Sequence, residues 1–112
     1  MKDRLANRVR TSRKLEDRLN CLLALRDARS GQDAHNGWLE VSTVFNIVKS
    51  GKDTSIDREQ EALEYLCDKG YVQFREDQTD FSELPVVKYR IVAHGQDLLD
   101  RVIEDDPGVA HH

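Results

Sequence analysis

A change of hydrophobic period near the middle of the chain constrains the fold most. After Ser55, apolar residues recur at helical spacing, and Gly70 closes this stretch where a left-handed backbone is tolerated. Beyond Gly70 the period becomes two, because Val72 and Phe74 alternate with polar residues and 87–91 repeats the alternation. The pattern predicts a helix capped by Ser55 and then a β-hairpin with a polar tip.

Two further amphipathic helices precede this region. Leucines at helical spacing predict helix 1 from about Ser12 to Arg29, and the pattern from Val41 to Val48 predicts helix 2. A short turn then leads to helix 3 at Ser55. Trp38 and Leu39 are expected to form a short strand, with Trp38 in the core. A last amphipathic helix is predicted to carry the apolar side chains Leu98, Leu99, Val102 and Ile103.

The order of these elements indicates the fold class. They predict an α+β winged helix-turn-helix, with a three-helix core, a β-hairpin wing and an additional C-terminal helix. The order is helix, short strand, helix, helix, strand, loop, strand and helix. The 112 residues divide into a basic N-terminal arm (1–14), the winged-helix domain (15–104) and a C-terminal tail (105–112). No apolar run approaches the roughly 20 residues that span a bilayer, so we expect a cytoplasmic protein without membrane contact.

Charge is distributed unevenly along the chain. The arm holds six Lys and Arg residues against Asp3 alone, a net charge of +5, whereas the whole chain has −4. The remainder of the chain therefore holds −9. A short cationic arm is a common means of gripping phosphate. The alternative is a disordered terminus that keeps the protein soluble.

The residue patterns do not indicate catalytic chemistry. We find no nucleophile with a base, convergent carboxylates, phosphate loop or metal-ligand spacing. Acidic residues recur along helix 3, where they are expected to spread over the solvent face: Asp57, Glu59, Glu61 and Glu64. Cys21 and Cys67 are expected to be reduced thiols. The sequence therefore predicts no enzyme, no metal and no cofactor.

Four segments between Asp17 and Val109 resemble a family of small winged-helix proteins from Mu-like phages and prophages. They are Leu22-Leu23-Ala24-Leu25, Ser55-Ile56-Asp57-Arg58, Tyr65 to Phe74, and Arg90 to Val109. The last is similar to the family's Thr-x-x-Gly-x-Asp-Val and Pro-Gly-Val, which Gly95, Asp97 and 107–109 match. The long acidic wing and the basic arm depart from the family pattern. The resemblance implies a winged-helix fold and a regulatory or DNA-associated role.

Double-stranded DNA is the expected partner. In winged-helix proteins of this kind helix 3 enters the major groove, where Arg58 can offer a bidentate fork to guanine. Ser55 or Lys52 can hold phosphates. The predicted DNA-binding residues are Arg8, Arg10, Arg13, Lys14, Lys52, Thr54, Ser55, Arg58, Arg75, Lys88 and Arg90. The acidic residues of helix 3 and of the wing tip oppose this binding.

The alternative function is a non-catalytic interaction module whose acidic wing binds a basic phage or host protein. The arm favours DNA, because it supplies the phosphate affinity that the acidic body lacks. A homodimer is also expected, because the last helix offers more apolar side chains than one core stripe needs. Its predicted interface is Leu98, Leu99, Val102 and Ile103. The alternative is that these side chains fold back on helix 1 and leave a monomer.

Overall fold

Four helices and one three-stranded antiparallel sheet form an α+β fold in the computed structural model. It describes residues 2–30, 36–49, 54–77, 85–101, 103–104 and 106–110, with the side chains of the first helix from Arg13 to Arg29. Within these ranges the helices are α1 (Lys2–Ser30), α2 (Val41–Val48), α3 (Ile56–Asp68) and α4 (Ala93–Leu99). The strands are β1 (Leu39–Glu40), β2 (Val72–Asp77) and β3 (Val86–Ile91), in the order β1-β3-β2.

Helix α1 begins at Lys2, well before the start that the leucine pattern predicts near Ser12. Residues 2–30 contain neither glycine nor proline, and Lys, Arg, Ala and Leu are strong helix formers. Nothing in the sequence therefore stops the helix where the leucine stripe stops. The arm and helix 1 are one continuous helix of 29 residues, about 43 Å long.

Both ends of α3 are confirmed. Ser55 has extended dihedrals, and its hydroxyl accepts a hydrogen bond from the Arg58 amide at 3.3 Å. At the other end Gly70 has a φ of +79°, a left-handed conformation that glycine adopts without strain. The Tyr71 amide then donates to the Leu66 carbonyl at 3.0 Å. The capped ends lead the chain directly from α3 into β2.

The sheet has an inner face toward the helices and an outer face. The register pairs Leu39 with Tyr89 and Val72 with Ile91, and these four side chains are buried on the inner face. Phe74 pairs with Tyr89 and lies on the same face, but 58% of it is exposed. Burial along β2 ends at Val72. The predicted alternation is confirmed, and Phe74 is left as an exposed aromatic side chain.

Trp38 is not in the core, contrary to expectation. Leu39 occupies the inward position, and neighbouring residues of a strand point to opposite faces. The indole is half-buried. The guanidinium carbons of Arg75 and Arg90 lie 4.4 Å and 4.6 Å from the centre of its ring. Trp38 therefore packs against two arginines of the sheet.

The C-terminal segment 106–110 packs on α1 and α3. Val109 is buried in the core, and the Ala110 amide donates to the Leu15 carbonyl at 3.1 Å. The Asp106 carboxylate accepts from the hydroxyls of Tyr65 at 3.0 Å and Tyr71 at 2.8 Å. The predicted tail is thus held to the body along most of its described length.

Opposing effects act on the pKa of Asp106. Burial disfavours its charged form, but hydrogen bonds from the Gly108 amide, Tyr71 and Tyr65 and the charge of Lys69 outweigh it. The net result is a pKa below the ordinary value. Burial, and then the hydrogen bond to Asp106, raises the pKa of the Tyr71 hydroxyl to about 12. Near neutral pH the charged carboxylate thus accepts from neutral phenols.

The apolar side chains predicted to form a dimer interface pack within their own chain as far as they are described. Leu98 and Leu99 are buried in the core of their own chain, and Ile103 is partly buried against it. Helix α4 ends at Leu99, and Arg101 with a φ of +59° turns the chain. Val102 lies outside the described residues. The described apolar side chains expected to meet a second copy are thus used within one chain.

Gly95→Ala is expected to destabilise the fold. A Cβ at this position would overlap the backbone carbonyl oxygen of Tyr71 and lie 3.0 Å from Ile91 Cγ1. Because a backbone atom cannot move aside cheaply, we expect a loss of about 2 kcal/mol in the free energy of unfolding. Urea denaturation measures it, with Ala93→Ser at an exposed position of the same helix as the control. Equal stability of Gly95→Ala and the parent chain would contradict this packing of α4.

Asp106→Asn tests the charged carboxylate. A carboxylate whose folded pKa is depressed contributes stability above its unfolded pKa and loses it as the pH falls through the folded value. We expect the variant to be less stable by about 1 kcal/mol at pH 7. The difference should shrink below the ordinary Asp value of 3.8. Urea denaturation between pH 7 and pH 2.5 measures this, and a difference that does not change with pH rejects the depressed pKa.

Candidate nucleic-acid interface

Arg58, which was expected to read guanine, is bound to α1. Its Nε donates to Asp17 Oδ2 at 2.9 Å, and its Nη2 donates to Oδ1 at 2.8 Å. The Asp17 side chain is only 7% exposed. Arg58 cannot turn its fork to a base without leaving a buried carboxylate without its cation, which is costly. In this structure Arg58 belongs to the interface between α1 and α3, and its DNA contact stays a prediction.

Glu59 is fully buried, although it was expected on the solvent face. Cys21 Sγ donates to its Oε2 at 2.7 Å, and Thr54 Oγ1 donates to its Oε1 at 2.5 Å. Burial, and then the nearby Glu59 carboxylate, raises the pKa of the Cys21 thiol well above its ordinary value. The thiol therefore stays protonated and donates. Thr54, a predicted DNA contact, is thereby directed to Glu59.

The helical period itself contains the signal for these two carboxylates. Glu59 precedes Ala62, Leu63 and Leu66 at i, i+3, i+4 and i+7, the spacing of a buried stripe. Asp17 lies one turn before Cys21 in the same way. The expectation that Glu59 would face the solvent relied on its charge alone. Each carboxylate is buried because a donor from the other helix, or from the residues next to it, completes its hydrogen bonds.

A second contact between α1 and α3 neutralises another acidic residue. Arg18 Nη2 donates to Glu61 at 2.9 Å, and Nη1 donates to the Gly108 carbonyl at 3.0 Å. The Arg18 guanidinium lies 3.6 Å from the centre of the Tyr65 ring. Arg18, which was not among the predicted functional residues, therefore joins α1, α3 and the C-terminal segment.

Three predicted DNA-binding residues meet in a groove between α1 and the start of α3. The groove encloses about 320 Å³, and its lining contains three cations and three carboxylates: Arg13, Lys14, Asp17, Asp57, Arg58 and Glu61. Arg13, Lys14 and Ser55 are exposed. The formal charges of these described lining residues cancel, so they do not form a basic surface by themselves.

A second group of predicted residues lies on the outer face of the sheet. Arg75 and Lys88 both pair with Asp77, at 3.2 Å and 3.5 Å. Arg90 Nη2 donates to Gln73 at 3.4 Å. Together with Trp38 these side chains form a compact patch, in which one carboxylate is shared by two of the three cations.

Three predicted DNA-binding residues are not yet placed. Arg8 and Arg10 belong to the N-terminal half of α1, and Lys52 is outside the described residues.

Over the described part of the chain, no group of three His, Cys, Asp or Glu side chains could hold a metal ion. In the same ranges, no helix combines the length and apolarity needed to cross a membrane.

Comparisons with known proteins gave no match. Neither a family model, nor a curated protein, nor a solved structure matches the chain.

Arg58→Ala is expected to destabilise the fold by about 2 kcal/mol, because it leaves the buried Asp17 carboxylate without its cation. An arginine that only contacts DNA would leave stability unchanged. Urea denaturation measures the effect. Lys14→Ala, an exposed position in the same groove, is the control and should stay within about 0.5 kcal/mol. Unchanged stability of Arg58→Ala would contradict a structural role for its contact with Asp17.

Proposed function

We propose that this chain is a winged-helix protein that binds duplex DNA through the basic half of α1, residues 2–14. The element order supports the winged-helix assignment, because a short strand, two helices and a hairpin follow α1 and the strands lie in the order β1-β3-β2. In this fold the hairpin is the wing and α3 occupies the recognition position.

The continuity of α1 is the observation that carries the proposal. Residues 2–14 have a net charge of +5 and continue, without a break, the helix that packs on α3. A helix fits the major groove of duplex DNA, and neutralised phosphates release counterions that drive binding. Arg13 and Lys14 are exposed where this half of the helix meets the body. The charge is therefore held on a preformed helix.

The charges on the surface of α3 support the proposal that α1, and not α3, contacts DNA. Arg58 is directed to Asp17, whereas Asp57, Glu64 and Asp68 are exposed. Carboxylates in the recognition position would repel phosphates. Arg75, Lys88 and Arg90 of the hairpin are close enough to one another to add a second, weaker phosphate contact.

The proposed role is that of a phage or prophage regulator, or of a DNA-associated accessory factor without catalytic activity. It rests on the resemblance to small winged-helix proteins of Mu-like phages. Two glycines of the resembling motifs are required by the packing of this chain, because each lies where a larger residue would collide. A Cβ on Gly95 would overlap the Tyr71 carbonyl, and a Cβ on Gly108 would overlap the Tyr65 hydroxyl.

The test replaces four arginines of the arm by glutamine: Arg4, Arg8, Arg10 and Arg13. Glutamine is also a good helix former, so the helix should persist. Each lost phosphate contact lowers the slope of log affinity against log salt by about 0.9. We therefore expect a flatter slope and weaker binding to duplexes of any sequence, measured by fluorescence anisotropy between 50 and 200 mM salt (about the range over which phosphate contacts are resolved).

The matched control is Arg75→Gln with Arg90→Gln on the hairpin, which should change the slope less than the arm variant does. Circular dichroism verifies that both variants keep their helix content. If the arm variant has the same salt dependence and the same DNA affinity as the parent chain, α1 is not the DNA-binding element.

A further inference from the structure

A groove separates the outer side of α3 from the inner face of the β2–β3 hairpin. It encloses about 260 Å³, and its described lining consists of Gln60, Glu64, Cys67 and Asp68 of α3 together with Phe74, Val87 and Tyr89 of the hairpin. We refer to it as the α3–hairpin groove. The DNA contact proposed for α1 does not use it.

The hairpin side of the groove is apolar. Phe74 is 58% exposed, and Val87 next to it is partly buried. Tyr89, paired with Phe74 across the strands, forms the buried floor. An aromatic side chain exposed beside further apolar surface is typical of a contact site for another molecule.

The helix side of the groove is acidic. Glu64 and Asp68 lie one turn apart on α3, both are exposed, and none of the described lining residues is a cation. The Gln60 amide donates to Glu64 at 3.2 Å and to the Tyr89 hydroxyl at 2.9 Å, which orients the Glu64 carboxylate. A suitable ligand therefore carries an apolar side chain close to positive charges.

This chain itself contains a segment of that chemistry. Residues 1–14 have a net charge of +5 and include Leu5 and Val9, one helical turn apart in sequence. The same chain's segment is placed elsewhere, because α1 contacts α3 through Arg58, Glu59 and Glu61 and continues to Lys2 as one helix. The groove residues lie on a different side of α3.

We propose that the α3–hairpin groove binds the basic segment 1–14 of a second copy of this chain. Phe74 contacts an apolar side chain of the segment, and Glu64 and Asp68 pair with its cations. The association needs no DNA. Because the same segment is proposed to bind DNA, duplex DNA competes with it and releases the copies from each other.

Sedimentation equilibrium of the full chain without DNA tests the proposal at tens of micromolar protein and about 50 mM salt, where charge pairs are weakly screened. We expect an average mass above the 12.9 kDa of one chain that rises with concentration and falls as salt is added. Phe74→Ala should raise the apparent dissociation constant about tenfold or more. Ile47→Ala, at an exposed apolar residue of α2, is the matched control and should leave it unchanged.

A second variant and a second probe distinguish binding in the groove from non-specific attraction between charged chains. Glu64→Gln with Asp68→Asn should weaken the association and reduce its salt dependence. A labelled peptide of residues 1–14, added to the full chain, should bind the parent and lose affinity for Phe74→Ala. A mass of 12.9 kDa at every concentration overturns the proposal. Self-association or peptide binding that Phe74→Ala does not weaken also overturns it. The result is independent of DNA binding, which the arginine-to-glutamine variant measures separately.

Discussion

The packing of α1 against α3 depends on two buried carboxylates. The Asp17 carboxylate on α1 accepts hydrogen bonds from Nε and Nη2 of Arg58. The Glu59 carboxylate on α3 accepts hydrogen bonds from Cys21 and Thr54. A buried carboxylate without partners is strongly unfavourable, so each one must meet its donors when the helices pack. The hydrogen bonds therefore define one register of α1 along α3. The core side chains and the C-terminal segment then pack around that register.

This interface also decides the charge that α3 presents to solvent. Arg58, the only cation between Ser55 and Lys69, is directed inward to Asp17. Arg18 of α1 neutralises Glu61, but Glu64 and Asp68 stay exposed. The outer side of α3 is consequently acidic. In our account the positive charge needed for DNA lies at the other end of the α1–α3 pair, on the N-terminal half of α1.

The sequence predicted correctly those helix ends and strands that are determined by neighbouring residues, such as a capping residue or an alternating pattern. Ser55 and Gly70 bound α3 as expected, and the alternation in β2 and β3 matches the observed pairing. The start of α1 differs from the prediction because the predicted start was taken from the leucine spacing, whereas the helix itself extends back to Lys2. Trp38 was misplaced because Leu39 takes the inward position of a two-residue strand.

The candidate site was predicted less well, because its residues depend on contacts between distant segments. An arginine is usually exposed, so the sequence gives no reason to place Arg58 in an interface. Its structural role follows from the contact with Asp17 of α1. Glu59 lies in the buried stripe of α3, which periodicity alone indicates, yet a charge there is acceptable only with Cys21 and Thr54 as donors. Leu98 was assigned to a dimer because the sequence does not show how much apolar surface the rest of the fold covers.

A double-mutant cycle between Asp17 and Arg58 measures how strongly the two side chains stabilise the packing of α1 on α3. Urea denaturation of Asp17→Asn, Arg58→Gln, the double variant and the parent gives the coupling free energy between the two side chains. We expect a coupling of about 2 kcal/mol, because each single change leaves a buried partner unsatisfied while the double change removes both charges. A coupling near zero, with Arg58→Gln as stable as the parent, would show that Arg58 is free of α1 and available to read DNA.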